Sequence, residues 1–158
     1  MGGQDKNSRQ GFTLVELMIV AAILAVVVVG MLKIFIFSSE SAAIAADKTL
    51  ALSAAQDKIE EIRNHSFDDI VADYAAGGTP GNAFTVSNLT SSGVVYIDST
   101  NAELLIVKAV VCWEDKYGRI IGEDANLNGA LDAGEDTPGE ENNEIDSIAS
   151  LVSMVAKR

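Results

Sequence analysis

Cysteine is almost absent from this chain of 158 residues: Cys112 stands alone, so no disulfide can form within one molecule. His65 is the single histidine, with no cysteine beside it, which excludes a Cys/His zinc pattern. Proline is nearly as scarce; only Pro80 and Pro138 occur, and neither interrupts the first half of the chain. Cations are few. Against 23 acidic residues stand 11 Lys and Arg, and the net charge of −12 argues against a nucleic-acid surface. Spacing identifies no nucleophile–His–acid set and no glycine-rich phosphate loop, so the residues do not point to an enzyme.

What the chain does have is one long apolar run. From Phe12 to Leu32 the only charged residue is Glu16. About 20 apolar residues suffice to cross a bilayer, and no later run approaches that length. A charge within such a helix costs roughly 2.5–3.5 kcal/mol, so Glu16 demands a partner. The preceding leader, residues 1–11, is polar and carries Lys6 and Arg9, which favour a cytoplasmic N-terminus. Lys33, just past the run, weakly opposes that orientation.

In an ordinary secretory signal the apolar core precedes the cleavage point and leaves with the peptide. Here the plausible cleavage point, Gly11, lies before the run in Gly11-Phe12-Thr13-Leu14-Val15-Glu16. This arrangement closely resembles the prepilin signal of the type IV pilin-like family. The resemblance implies cleavage after Gly11 by a prepilin peptidase and methylation of the new terminal residue, Phe12. It further implies use of Glu16 in subunit registry. Physically, a carboxylate in the first turns faces the positive end of the helix, and within a filament it can meet the Phe12 amine of a neighbour. An ordinary signal anchor with a stray glutamate is the plainer alternative.

The helix is expected to continue past the membrane. Residues 40–63 contain neither proline nor glycine, and Leu52, Ala55, Ile59 and Ile62 mark one helical face. Lys58, Glu60, Glu61 and Arg63 are assigned to the other faces. Phe12–Arg63 as one helix would be roughly 78 Å long at 1.5 Å per residue, too long to be buried by a domain of this size. Its first half therefore needs lipid or other copies of itself. Asn64-His65-Ser66 is expected to end it, with His65 exposed. Residues 75–93 carry turn signals around a short strand at 84–86. Further strands are expected at 94–98, 104–114, 119–122 and 148–156, with Asp115-Lys116-Tyr117-Gly118 as a hairpin turn. Cys112 reads as a small buried hydrophobe within an apolar strand. The fold class is α+β: a long N-terminal helix, membrane-spanning in its first half, packed by its second half on a small antiparallel sheet. The expected organisation is a leader at 1–11, a transmembrane and assembly segment at 12–37 and a periplasmic or extracellular globular domain at 38–158.

A second motif lies between strands. Asp124, Asn126, Asn128, Gly129 and Glu135 match the twelve-position calcium-loop pattern. Calcium takes six to eight hard oxygens. Side chains of Asp124, Asn126, Asn128, Asp132 and Glu135, with the backbone carbonyl of Ala130, would supply them, Leu131 pointing inward as an apolar anchor. The flanks suit a strand and a Pro138-Gly139 break rather than two helices, so the loop chemistry is expected without an EF-hand fold. The plain reading is a solvated acidic segment, since residues 123–146 hold nine acidic residues and no basic one. A second, degenerate loop is conceivable around Glu140, Asn142 and Asp146, with Asn143 in the glycine's place.

Together these features suggest a structural subunit of a type IV pilus or of a type II secretion pseudopilus, with a structural calcium ion. Expected partners are other pilin or pseudopilin subunits, the prepilin peptidase and the inner membrane. Major pilins often carry a C-terminal disulfide and a proline that loosens the helix. Their absence, with the resemblance of residues 59–70 to minor pilin-like helix ends, favours a minor subunit. A monomeric, membrane-anchored calcium-binding or adhesive module is the alternative.

Overall fold

The computed structural model describes residues 12–137 and 142–157. Helix α1 runs from Leu14 to Arg63, continuing through the Val26–Val29 run and Gly30. Two compact units divide the chain, residues 1–42 and 43–158, with the boundary inside this helix.

In the first unit every large apolar side chain from Phe12 to Phe37 is exposed. By length and composition this part of α1 can cross a membrane. A segment so apolar on all sides gains nothing from water and requires lipid or protein around it.

In the second unit α1 becomes amphipathic. Ala51, Ala55, Ile59 and Ile62 are buried, and Leu52 packs at the edge of the same cluster. Lys58 departs from its expected outward place: it is only 9% exposed. Its stem is covered while its ammonium reaches Glu61 at 3.0 Å and lies 5.1 Å from the Tyr74 ring centroid. The helix ends where Asn64 turns its side-chain amide back onto the Glu60 carbonyl at 2.8 Å. A short helix not foreseen from the sequence, α2 (Phe67–Asp73), follows and buries Ile70. His65, expected to be exposed, is half-buried, bonded to Asp73 at 2.7 Å and set edge-on to Tyr74.

Among the described residues, five antiparallel strands form one sheet: β1 (Ala83–Phe84), β2 (Ser91–Asn101), β3 (Leu104–Glu114), β4 (Ile120–Ile121) and β5 (Ala149–Ala156). β1 pairs with β2, and β2 with β3. Both β4 and β5 lie along the other side of β3, β4 beside Trp113–Glu114 and β5 beside Leu104–Val111. The β3–β4 turn is held by the buried Asp115 carboxylate, which accepts the N–H groups of Tyr117 and Arg119 and pairs with the Arg119 guanidinium at 2.7 Å.

The two-residue alternation of β3 organises the core. Leu105, Val107, Ala109, Val111 and Trp113 join the α1 face, Ile70, Tyr74 and Val95 in the main cluster. Val110 and Cys112 face the opposite way and pack with Val94 and Ile145 in a smaller cluster. Residues 109–113 are thus buried on both faces, which explains why they read as one unbroken apolar run. The α+β architecture follows: a long helix over one face of a small antiparallel sheet, with loop residues over the other.

Candidate functional site

The first site lies at the start of α1. Thr13 precedes the helix, and its hydroxyl oxygen accepts the backbone N–H of Glu16 at 3.3 Å. Thr13 is therefore the N-cap and Glu16 the third helical residue, the Thr-x-x-Glu spacing of a capping box. Sequence reasoning missed this role for Thr13, although the spacing announces it. Glu16 is the one acid in the first turn, at the positive end of the helix dipole. Phe12 is 79% exposed. Gly11 and the leader lie outside the described residues.

The second site is the 124–135 loop, entered from β4. Asp124 is fully buried. Its carboxylate accepts the N–H of Asn128 at 3.0 Å and of Gly129 at 2.8 Å. Among the described residues no cationic side chain pairs with it. Gly129 has φ +78, and a Cβ there would come within 3.2 Å of the Ser92 hydroxyl, so glycine suits the turn both conformationally and sterically. Asn126 accepts the N–H of Asn128, and Asn128 accepts that of Ala130 at 2.7 Å. Both side-chain amides donate to one Asp132 oxygen, at 2.7 and 2.9 Å. Glu135 spans the loop, accepting the N–H of Ala125 through one oxygen and that of Asp132 through the other.

All six loop positions named from the sequence thus fall within one turn system. Among the described residues, however, no three Asp, Glu, His or Cys side chains form a metal cluster by themselves. The loop instead offers a mixed set of carboxylate, amide and carbonyl oxygens, all hard donors. That chemistry fits calcium and does not fit soft metals.

Several contacts fasten the loop to the sheet. Leu127 and Leu131 pack against the Val94–Val110–Cys112–Ile145 cluster. Glu123 donates its N–H to the Asp146 carbonyl at 2.9 Å and accepts the Asp146 N–H at 3.0 Å, and it also bonds Thr137. Lys108 reaches Asp146 at 2.7 Å and Glu144 at 3.0 Å. Burial works against the charged Lys108, but these two carboxylates outweigh it and hold its pKa above the ordinary lysine range. Asp146 is held below the ordinary carboxylate range, chiefly by the Lys108 hydrogen bond. Of the residues named for a second loop, Asn143 adopts φ 57 and Asn142 bonds Asp146 at 2.8 Å. Glu140 lies outside the described residues.

The prokaryotic N-terminal methylation motif matches residues 6–32. No curated protein and no solved structure matched the chain. The fold and N-terminal site define a protein with one exposed apolar helix and a small α+β domain. The matched motif is the prepilin signal of type IV pilins and pseudopilins, so the N-terminal segment of this chain is similar to theirs. The type IV pilin-like family is structural, and its motif implies processing by a prepilin peptidase and assembly with other pilin subunits.

Proposed function

We propose that the chain is a minor subunit of a type IV pilus-like or pseudopilus-like filament, with a calcium ion organising its outer domain. The observation that carries the filament reading is the coincidence of the methylation motif with an apolar helix whose first-turn charge is Glu16. Before assembly the helix spans the inner membrane with its N-terminus cytoplasmic. After cleavage at Gly11 the Phe12 amine becomes available to the Glu16 carboxylate of a neighbouring copy. That contact offsets the cost of the charge and sets the axial step between subunits. Apolar side chains exposed along residues 14–37 exchange lipid for other helices of the same kind.

Mass spectrometry of the mature N-terminus tests this reading. A chain beginning at methylated Phe12 supports it. An intact Met1 in the mature protein overturns it and favours a monomeric membrane-anchored module.

The calcium reading rests on the donor set. Asp124, Asn126, Asn128, Asp132 and Glu135 would hold the ion with the Ala130 carbonyl. A bound ion supplies the positive charge that residues 123–137 lack entirely. The chain's own part is to present those oxygens: Gly129 closes the turn, and Leu131 anchors it on the sheet. Calorimetry and thermal shift on the full chain in detergent test it. Absence of both heat and thermal shift at millimolar calcium refutes the site.

A further inference from the structure

The 124–135 loop is part of the cover over the outer face of the sheet. Leu127 and Leu131 close the cluster in which Cys112 is only 1% exposed. The residue leading into the loop completes that cover. At Gly122, with φ +112, a Cβ would stand 2.3 Å from the Cys112 sulfur, so the backbone lies directly over the thiol. Glu123 then fastens this stretch to Asp146 in both directions. The stretch that would chelate and the stretch that seals the sheet are continuous in sequence, with no flexible spacer between Gly122 and Asp124.

We propose that cation occupancy of the loop controls the closure of this cover, and that Cys112 is the residue it seals. This inference rests on the calcium reading above. Residues 123–136 carry five carboxylates, at Glu123, Asp124, Asp132, Glu135 and Asp136, and no basic residue, so like-charge repulsion opposes a compact loop. An ion removes that repulsion only while the oxygens are gathered, which is also the arrangement that seats Leu127 and Leu131. Opening must then release the ion, so calcium lowers the open population by the factor of one plus its concentration over its Kd.

Cys112 is the single cysteine of the chain, so thiol labelling reports on this site alone. The test measures labelling of the full-length protein in detergent by a maleimide, with and without calcium, beside calorimetry on the same preparation. At calcium ten times its Kd, labelling should slow about tenfold. Glu135→Gln, a chelation variant, should label at the calcium-free rate at that same concentration. Leu131→Ala, a cover variant, should still bind calcium yet label faster than the parent chain in its presence. Calcium binding with equal labelling rates, including no labelling in either state, overturns the coupling and leaves the calcium site standing. Absence of calcium binding overturns both. A Leu131→Ala protein that binds calcium and labels no faster than the parent chain also overturns it.

Discussion

The Thr13 hydroxyl oxygen accepts the backbone N–H of Glu16 at 3.3 Å, so the one acid of the apolar segment is also the third residue of a capped helix. On the proposed filament reading two roles meet at Glu16: its N–H takes the Thr13 cap, and its charge is offered to another chain. Glu16→Gln separates them, because it keeps the polar side chain of the capping box and removes the charge. The expected outcome is normal membrane insertion with loss of incorporation into filaments. Membrane fractionation and immunoblotting of sheared filaments measure the two arms. Wild-type levels of Glu16→Gln in filaments would refute the registry role of the charge. Thr13→Val, which removes only the cap, should cost about 1 kcal/mol of local helix stability and leave incorporation largely intact.

Gly122 is the tightest glycine over the outer cluster. Alanine there meets two penalties, a positive φ of +112 and a Cβ 2.3 Å from the Cys112 sulfur. Gly122→Ala is expected to lower stability by about 2–4 kcal/mol, from backbone strain and overpacking together. Adding Cys112→Ala removes the sulfur contact and should recover part of the loss, leaving the backbone part and the tight 3.1 Å approaches to the Cβ atoms of residues 112 and 147. Denaturant unfolding of Gly122→Ala, Cys112→Ala and the double variant gives the sulfur contribution. Full recovery in the double variant, relative to Cys112→Ala, would mean that the backbone conformation carries no cost.

How far the sequence discloses these relationships depends on their range. The apolar run, the Gly-Phe-Thr-Leu-Val-Glu signature and the β3 segment are local patterns, so their structural class is legible without coordinates. The α1 face is likewise legible from Ala55, Ile59 and Ile62, because helical spacing alone places them together. Lys58 is not, since its burial depends on Tyr74 and Phe84, which arrive from the C-cap of α2 and from β1. The same holds for His65, whose partner Asp73 belongs to a seven-residue helix too short to show a clear period. For the loop, spacing names the oxygen-bearing residues. It does not disclose that Asp124 is fully buried or that Leu127 and Leu131 seal Cys112, because both depend on β2, β3 and Ile145.

Acid should loosen the second unit through its paired carboxylates. The Lys108 hydrogen bond, working against partial burial, holds Asp146 below its ordinary value. At Glu61 burial raises the pKa, but bonds from Lys58 and Tyr74 outweigh it and the net direction is down. Folded values below unfolded ones mean that the unfolded chain binds more protons as pH falls. The stabilisation is therefore complete above the ordinary carboxylate range, near pH 4, and is lost as pH drops through the folded values. Tm should fall between pH 5 and pH 3, and Lys108→Met should reduce that fall, each partly exposed pair contributing about 0.5–1 kcal/mol. An unchanged pH profile in Lys108→Met would show that its contacts with Asp146 and Glu144 do not contribute.

Tyr74 gives the opposite sign at the other end of the scale. Its hydroxyl donates to Glu61 at 2.8 Å while its ring lies under the Lys58 ammonium. Burial, then the bond and charge of Glu61, push its pKa from 10.0 to about 12. Because the folded value exceeds the unfolded one, the stabilisation is fully present below pH 10 and lost as pH rises towards 12. Ultraviolet difference titration should therefore contain a phenolate transition near pH 12 that disappears in Tyr74→Phe. The variant also leaves one Glu61 oxygen without its phenol donor and should cost about 1 kcal/mol at neutral pH. Glu61 remains partly exposed and keeps Lys58, so the loss stays near that size. The discriminating comparison is Glu61→Gln: it retains an acceptor for the hydroxyl but removes the negative charge. Tyr74 should then titrate earlier while the contact between α1 and the segment following α2 persists. A phenolate transition still near pH 12 in Glu61→Gln would assign the shift to burial and the Asp73 charge and exclude the Glu61 charge as its cause.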